Sequence, residues 1–312
     1  MRMKKNCLLS LLFLFAAGVQ AATYAVPEGT NSLIGHMQFV IAAADDTLLS
    51  LGRRYGVGYE EIVAANPMLD VWLPGAGSTV VIPTRHLLPA APREGIVINV
   101  PEQRLYYYPT ANQAQLLKVY TYPVSVGAAD WQTPLGTSRV VAKHVNPSWY
   151  PTPSVRREHA ERGDVLPAVV GPGPDNPLGQ YALRLDLGRG AYLIHGTNNP
   201  TAIGMPVTHG CIRMFPEDIE ELFNLVALGT KVLIIDQPYK IGWSDDDLYV
   251  EVHATHAQLK TAQYDDLTKL TRALVAATKT RSATINWPAT ERLLVYGSIP
   301  AMPMPLIKNN GH

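Results

Sequence analysis

A chain of 312 residues is longer than an average domain of about 100–150 residues, and 47% hydrophobic with 17% charged residues is enough to build a packed core. This excludes global disorder and predicts two domains, or one domain with appendages. Basic and acidic residues balance at 26 each. With no basic patch beyond that balance, the sequence argues against a nucleic-acid partner.

The first 21 residues are read as an export signal and not as part of the fold. Met1 to Lys5 is basic, Leu8 to Ala17 is apolar, and Val19-Gln20-Ala21 sets small residues where a signal peptidase reads them, which predicts cleavage after Ala21. The apolar run is shorter than the roughly 20 residues needed to cross a bilayer, and no later stretch is longer. The chain is therefore expected to be exported, not an integral membrane protein. Cleavage removes three basic residues and no acidic ones, leaving a net charge of −3. It also removes Cys7, which lies at the start of the apolar run and not at the cleavage end where a lipidated cysteine would stand. Cys211 is then the one cysteine of the mature chain. In an oxidising compartment an unpaired cysteine is an intermolecular bridge, a buried inert thiol or a reactive one.

Residues 22–36 read as a short polar leader. From Phe39 a compact unit follows. Phe39-Val40-Ile41 predicts a strand, and Asp45-Asp46-Thr47 an N-cap for a helix carrying Leu48, Leu51 and Tyr55 and ending at Gly56. A second helix runs from Tyr59 to Ala65 and stops at Asn66-Pro67. After a turn at Leu73-Pro74-Gly75, Thr79 to Pro83 predicts a returning strand. A linker rich in Pro and Ala, Leu87 to Pro92, leads to the main body. There Ile96 to Val100 and Arg104 to Tyr108 predict a hairpin, with further strands at Lys118 to Val126, Ser138 to Ala142, Tyr181 to Leu185, Ala191 to His195 and Lys231 to Asp236. Short strands with Gly and Pro turns point to an antiparallel sandwich or barrel-like body. Residues 144–180, with seven prolines, are expected to form a partly ordered flap. Pro216 opens a helix with Ile219, Leu222, Phe223 and Val226 on one face and Gly229 as its stop. The tail after Asp236 is read as a small, mostly helical appendage with helices over Gln258 to Ala277 and from Trp287 through Leu294.

The chemistry concentrates between two short runs. His195-Gly196-Thr197 ends an apolar strand that starts at Tyr192, and Thr208-His209-Gly210-Cys211-Ile212-Arg213 precedes the helix opened by Pro216. A strand end and a loop before a helix are both places where a rigid scaffold displays side chains. A thiol is only a few per cent ionised near neutral pH, and a neighbouring histidine that accepts its proton activates it. Backbone N–H groups around Gly210 and Cys211 are candidates for an oxyanion hole. His209 stands two residues from Cys211, on the same side of an extended segment, whereas His195 must reach it through the fold but is better held at a strand end. Either is a candidate base, and a histidine base predicts an ionisation near neutrality in the pH profile.

Two resemblances follow from these residues. The unit over 39–84 resembles a LysM module, a small peptidoglycan-binding domain, in Asp46-Thr47-Leu48, Arg53 to Val57, Ala65-Asn66-Pro67 and the ending from Leu73-Pro74-Gly75 to Ile82-Pro83. It departs from that pattern at Ala42-Ala43-Ala44. The runs around His195 and Cys211, with the strands from Ile96 to Tyr108 and Leu135-Gly136-Thr137, resemble the YkuD-type L,D-transpeptidase family over 95–236. The order of parts, ending in an appendage over 237–312, resembles its periplasmic Gram-negative subgroup.

That resemblance implies a mainly β sandwich or barrel-like catalytic domain with a small α+β N-terminal module and a small helical appendage. It implies Cys211 as nucleophile, His195 as general base and acid, and Gly210 as an oxyanion-hole backbone. Arg213, Thr208, His209, Thr197 and Tyr192 would lie on the substrate. In the subgroup the position of His209 is often not a histidine, which favours His195, and Thr208 keeps the hydroxyl of the serine often found there. The implied donor is a peptidoglycan tetrapeptide stem, cleaved between diaminopimelate and D-alanine. The acceptor is a second stem, the C-terminal lysine of an outer-membrane protein, or water or a free D-amino acid in a carboxypeptidase or exchange reaction. A silent peptidoglycan-binding protein is the non-enzymatic alternative. No metal or other cofactor is implied.

Overall fold

The computed structural model describes residues 22–110, 117–188, 192–253, 267–279, 281–294, 298–304 and 306. The stretches read from the sequence as an export signal (1–21) and as the start of a tail helix (258–266) lie outside the described residues. Among those described, no helix is long and apolar enough to cross a membrane.

In chain order the N-terminal region forms β1 (Ala22–Ala25), β2 (Leu33–Ile34), β3 (Gln38–Ile41), α1 (Leu48–Tyr55), α2 (Tyr59–Ala65), β4 (Thr79–Ile82) and β5 (His86–Leu87). The strand–helix–helix–strand order read over 39–83 is present. Thr47 caps α1: its hydroxyl accepts from the Ser50 amide, while Ser50 Oγ accepts from the Thr47 amide, both at 2.9 Å. Leu48, Leu51, Val57, Ile62, Val80 and Ile82 close a small core of their own.

Two expectations for this region are corrected. The leader is not free: β1 pairs antiparallel with a strand of the main sheet, so Ala22 to Ala25 extend it by one edge. Nor is the stretch from Leu87 a loose linker. β5 pairs with β2, and Leu87 and Leu88 are buried. A polar, proline-rich composition reports a lack of local periodicity, and here tertiary pairing supplies the order that periodicity lacked.

The body adds β6 (Gly95–Asn99), β7 (Arg104–Tyr108), β8 (Lys118–Pro123), β9 (Val126–Gly127), β10 (Gly136–Val145), α3 (Pro153–Glu161), β11 (Tyr181–Leu185), β12 (Leu193–His195), β13 (Pro206–Thr208), β14 (Ile212–Arg213), α4 (Pro216–Leu225) and β15 (Lys231–Ile235). Nine strands form one sheet in the order β1-β8-β7-β6-β15-β10-β11-β12-β14. The expected antiparallel sheet is in fact mixed, because β6 pairs with β15 and β12 with β14 in parallel. The tyrosine run in β7 explains why this sheet needs cover on both faces. Leu105 and Tyr107 enter the main core with Ile96, Ile98 and Tyr122, while Tyr106 and Tyr108 enter a second core with Ile34, Leu88, Val97 and Val119. Helix α4 starts at Pro216 and lays Ile219 and Leu222 into the main core. The flap contains the helix α3, where the Thr152 hydroxyl caps the Val155 amide at 3.3 Å and Pro153 takes the first turn.

Among the described residues the tail combines helices with strands that the sequence reading did not expect. It forms β16 (Tyr239–Ser244), β17 (Asp247–Val252), α5 (Leu267–Thr278), α6 (Trp287–Leu294) and β18 (Ile299–Pro303), with the three strands in one sheet. Trp243, Leu248, Val250, Leu270 and Leu274 share its core.

The three regions meet around buried charge. Lys240 Nζ lies 2.6 Å from Glu102 Oε1 and 3.0 Å from Glu251 Oε2. His86, Glu102 and Glu251 bring one ligand atom each within 4.8 Å, a spacing that would hold a metal ion. The Lys240 ammonium stands among these carboxylates and supplies the positive charge itself. It also holds the Glu102 and Glu251 carboxyls below the usual carboxylate range against the opposing effect of burial.

The N-terminal unit docks directly on the loops that lead to and from the site residues. The first amides of α2, which have no partner within their helix, donate to the body: Tyr59 N to Ile203 O at 3.0 Å and Glu60 N to Gly204 O at 3.2 Å. Arg53 forms a bidentate pair with Glu217 at 2.7 and 2.8 Å. Gly204, at φ +87°, makes the approach possible, because a Cβ there would fall 2.2 Å from Tyr59 N and 2.5 Å from Gly58 Cα. Gly229 has a similar φ of +82° with open space around it. A side chain at positive φ costs about 1–2 kcal/mol by itself. Gly204→Ala is therefore expected to lower the unfolding free energy by more than Gly229→Ala, by about 2 kcal/mol or above in denaturant titration. Equal losses would show that the close approach contributes nothing.

Candidate active site

Parallel pairing of β12 with β14 sets Ile194 opposite Ile212 and His195 opposite Arg213. Ile194 and Ile212 are fully buried in the main core. Side chains alternate along a strand, so His195 and Arg213 project from the opposite face, and the Arg213 charge acts on both the His195 imidazole and the Cys211 thiol just before the strand. Backbone bonds lock this arrangement: Met214 N donates to His195 O at 2.9 Å, and Ser125 and Arg213 exchange amide bonds at 2.8 and 3.0 Å. The fold thus brings Cys211, His195 and Arg213 together. Cys211 is a half-buried thiol outside any disulfide.

The tautomer of His195 follows from its contacts. Nδ1 lies 2.7 Å from the Gly196 carbonyl. A carbonyl only accepts, so Nδ1 carries the proton and donates it there, leaving the Nε2 lone pair to act as a base. Burial, and next the positive Arg213, push the His195 pKa down to about 3, against the pull of backbone hydrogen bonds to Gly196 and Leu178. Burial raises the Cys211 thiol, while a backbone hydrogen bond with Leu193 and the Arg213 charge oppose that rise. The resting state is a neutral thiol with a neutral imidazole. The ionisation near neutrality expected from an ordinary histidine is displaced well below it. Arg213 is partly buried, with its own pKa lowered by burial, and among the described residues its Nε has no hydrogen-bond partner. A desolvated guanidinium with an unfilled donor suits an incoming carboxylate or carbonyl oxygen.

The remaining candidates have other engagements. Gly210 N donates to Thr208 Oγ1 at 3.2 Å. Gly210 also serves the path of the chain: φ is +96°, and a Cβ would lie 3.1 Å from the Tyr192 ring. Thr208 is buried and donates to the Cys211 carbonyl at 2.6 Å. Thr197 is buried too, its hydroxyl closing a turn with the Asn199 amide at 2.9 Å. Both hydroxyls shape the loops that carry His195 and Cys211. His209 Nε2 turns to Glu158 Oε2 of α3 at 2.7 Å and meets the edge of Trp131 with centroids 5.1 Å apart. Tyr192 packs on the core beside Gly210.

Sequence reasoning missed Thr133, Trp131 and Glu158. Buried Thr133 accepts from Gly127 N at 2.9 Å and donates to Gly210 O at 3.1 Å, tying the cysteine loop to β9. These contacts bridge 77 residues to Gly210 from Thr133 and 51 to His209 from Glu158. No short-range pattern announces pairs that far apart.

The profile of the YkuD L,D-transpeptidase catalytic domain matches residues 93–234. The chain is 42% identical over 251 residues to the probable L,D-transpeptidase YcfS of Escherichia coli K12, covering 77% of each chain. Probable L,D-transpeptidase ErfK/SrfK of the same strain is 42% identical over 254 residues, 80% of this chain and 79% of that one. Probable L,D-transpeptidase YbiS, also of that strain, is 38% identical over 289 residues, 89% and 92% of the two chains.

The chain belongs to the YkuD-type L,D-transpeptidase family. It is a cysteine-dependent L,D-transpeptidase. Burial leaves both the Cys211 thiol and the His195 imidazole uncharged at neutral pH. Alkylation of Cys211 by iodoacetamide is therefore expected to rise continuously from pH 5 through pH 9, because raising the pH populates a thiolate whose pKa lies above the ordinary thiol value. The rate should show no inflection near 6.5, the usual histidine value. A plateau reached below pH 7 would instead reveal a preformed thiolate–imidazolium pair.

Proposed function

We propose that Cys211 is the nucleophile and His195 the general base of an exported enzyme that remodels peptidoglycan in the periplasm. The observation that carries this reading is the convergence of Cys211, His195 and Arg213, with His195 set opposite Arg213 by the register of β12 and β14. The donor is a tetrapeptide stem. Cys211 Sγ attacks the carbonyl at the L-centre of diaminopimelate as its proton passes to His195 Nε2. The C–N bond to D-alanine breaks, His195 returns the proton to the leaving amine, and a thioester remains on Cys211. An acceptor amine then attacks the thioester, loses a proton to His195, and expels the thiolate, which takes that proton back. Arg213 receives a carboxylate of the stem.

The acceptor is the C-terminal lysine of an outer-membrane protein or the amine of a second stem, giving a 3-3 cross-link. With water in its place the same acyl-enzyme yields carboxypeptidase products. The N-terminal unit is a peptidoglycan-binding module that keeps the enzyme on its polymer, consistent with its helix–helix pair docked beside the site.

D-Alanine release from a purified tetrapeptide donor tests the assignment. Cys211→Ala should abolish it. His195→Ala should lower kcat about 100-fold or more, whereas His209→Ala, whose ring faces Glu158, should cost less than about tenfold (about 1.4 kcal/mol). Release that survives Cys211→Ala, or a larger loss at His209 than at His195, contradicts it.

A further inference from the structure

A groove of about 550 Å³ separates the N-terminal unit from the catalytic body. One wall carries Ser50, Tyr59 and Trp72, and the other Pro200, Thr201 and Phe215. The walls are held in fixed relation by the α2 amides on Ile203 and Gly204 and by the Arg53–Glu217 pair. The groove is therefore a formed cleft in the size range of small-ligand sites. Both body segments in it also carry the catalytic residues. Phe215 lies four residues beyond Cys211, and Pro200 and Thr201 lie on the loop leaving His195. A ligand filling this groove reaches the active-site segments directly.

The lining chemistry narrows the ligand. Trp72 is 60% exposed at the rim. Among the described residues its indole N–H and the Tyr59 hydroxyl have no hydrogen-bond partner. An exposed aromatic face with an unfilled polar tip suits the C–H face and hydroxyls of a sugar ring. The two arginines in the lining are already paired, Arg53 with Glu217 and Arg54 with Asp46, so an anionic ligand finds no unpaired cation there. The N-terminal wall is built from α1, α2 and the loop before β4, which offers no strand edge for an extended peptide to join.

We infer that this groove is a subsite for the glycan strand of the donor, shared between the N-terminal unit and the catalytic body, holding a short run of amino sugars while their stem peptide occupies Cys211. The inference rests on the peptidoglycan reading above and adds a location to it: the polymer is recognised across the junction and not by the N-terminal unit alone. Fixed walls then make the junction a ruler between sugar and thiol, a preorganised arrangement that limits the ordering cost of a long substrate.

Two substrates and two variants of the full chain test it. D-Alanine release is compared between a sugar-free tetrapeptide and the same stem on a short glycan oligomer, and binding of the β-1,4-linked N-acetylglucosamine hexamer is followed by titration calorimetry. The wild type should favour the glycan-borne donor about tenfold or more in kcat/KM. Trp72→Ala on one wall and Thr201→Tyr on the other should each lower that ratio at least about fivefold and weaken hexamer binding. Both residues are exposed, and unchanged thermal unfolding would confirm that the fold survives. Loss with Trp72→Ala but not with Thr201→Tyr would overturn the shared site in favour of binding by the N-terminal unit alone. An equal ratio in all three proteins, or no preference in the wild type, would overturn the subsite altogether. Failure of the wild type to release D-alanine from either donor would refute the underlying reading, and hexamer binding would then judge the groove by itself.

Discussion

The parallel bridge between β12 and β14 is the constraint on which the site depends. It spans only two paired positions, yet it fixes which side chains face the core and which face the cleft. A slip of one residue would turn Ile212 outward and drive Arg213 toward the apolar interior. The buried pair Ile194 and Ile212 opposes such a slip, since each fully buried aliphatic side chain contributes on the order of 1.5–3 kcal/mol. The packing of two isoleucines therefore holds an imidazole and a guanidinium on one surface. The same low-dielectric setting keeps His195 neutral at rest, and its bond to Gly196 selects the tautomer that leaves Nε2 able to accept a proton.

Contacts from distant segments support that short bridge. Thr133 and Ser125 tie the cysteine loop to the β9 region, and Glu158 with Trp131 engages the His209 ring. The N-terminal unit rests on the loop after His195 through Gly204 and on α4 through Glu217. The segments of the candidate site are thus gripped from three directions, an arrangement that suits groups held in position before a substrate arrives. A tethered module would grip neither loop.

Much of this architecture was legible in the sequence, for reasons that differ by element. The hairpin of β6 and β7 and the helices α1, α2 and α4 carry strong periodicity and clear caps. Cys211 stood out because a solitary thiol in a chain whose sequence reads as exported needs an explanation. Other signals were present and passed over. Thr152-Pro153 marks the start of α3 inside the flap. The alternation from Tyr239 to Val252 around Asp245-Asp246 marks the hairpin of β16 and β17, with Asp245 at φ +49°. What the sequence could not carry is long-range pairing. The Arg53–Glu217 contact spans 164 residues, and the leader becomes a strand only because β8 has an open edge. The hydrogen bonds of Gly210, Thr208 and Thr197 within their loops are likewise not revealed by residue type alone.

Trapping the acyl-enzyme measures the central claim most directly. Wild-type protein is mixed with tetrapeptide donor in the absence of an acceptor, quenched in acid, and read by intact mass followed by peptide mapping. The account predicts a covalent gain equal to the donor minus D-alanine, carried by Cys211 and lost on treatment with hydroxylamine, as a thioester requires. D-Alanine release with no covalent intermediate, or an adduct mapped to any other residue, would contradict it.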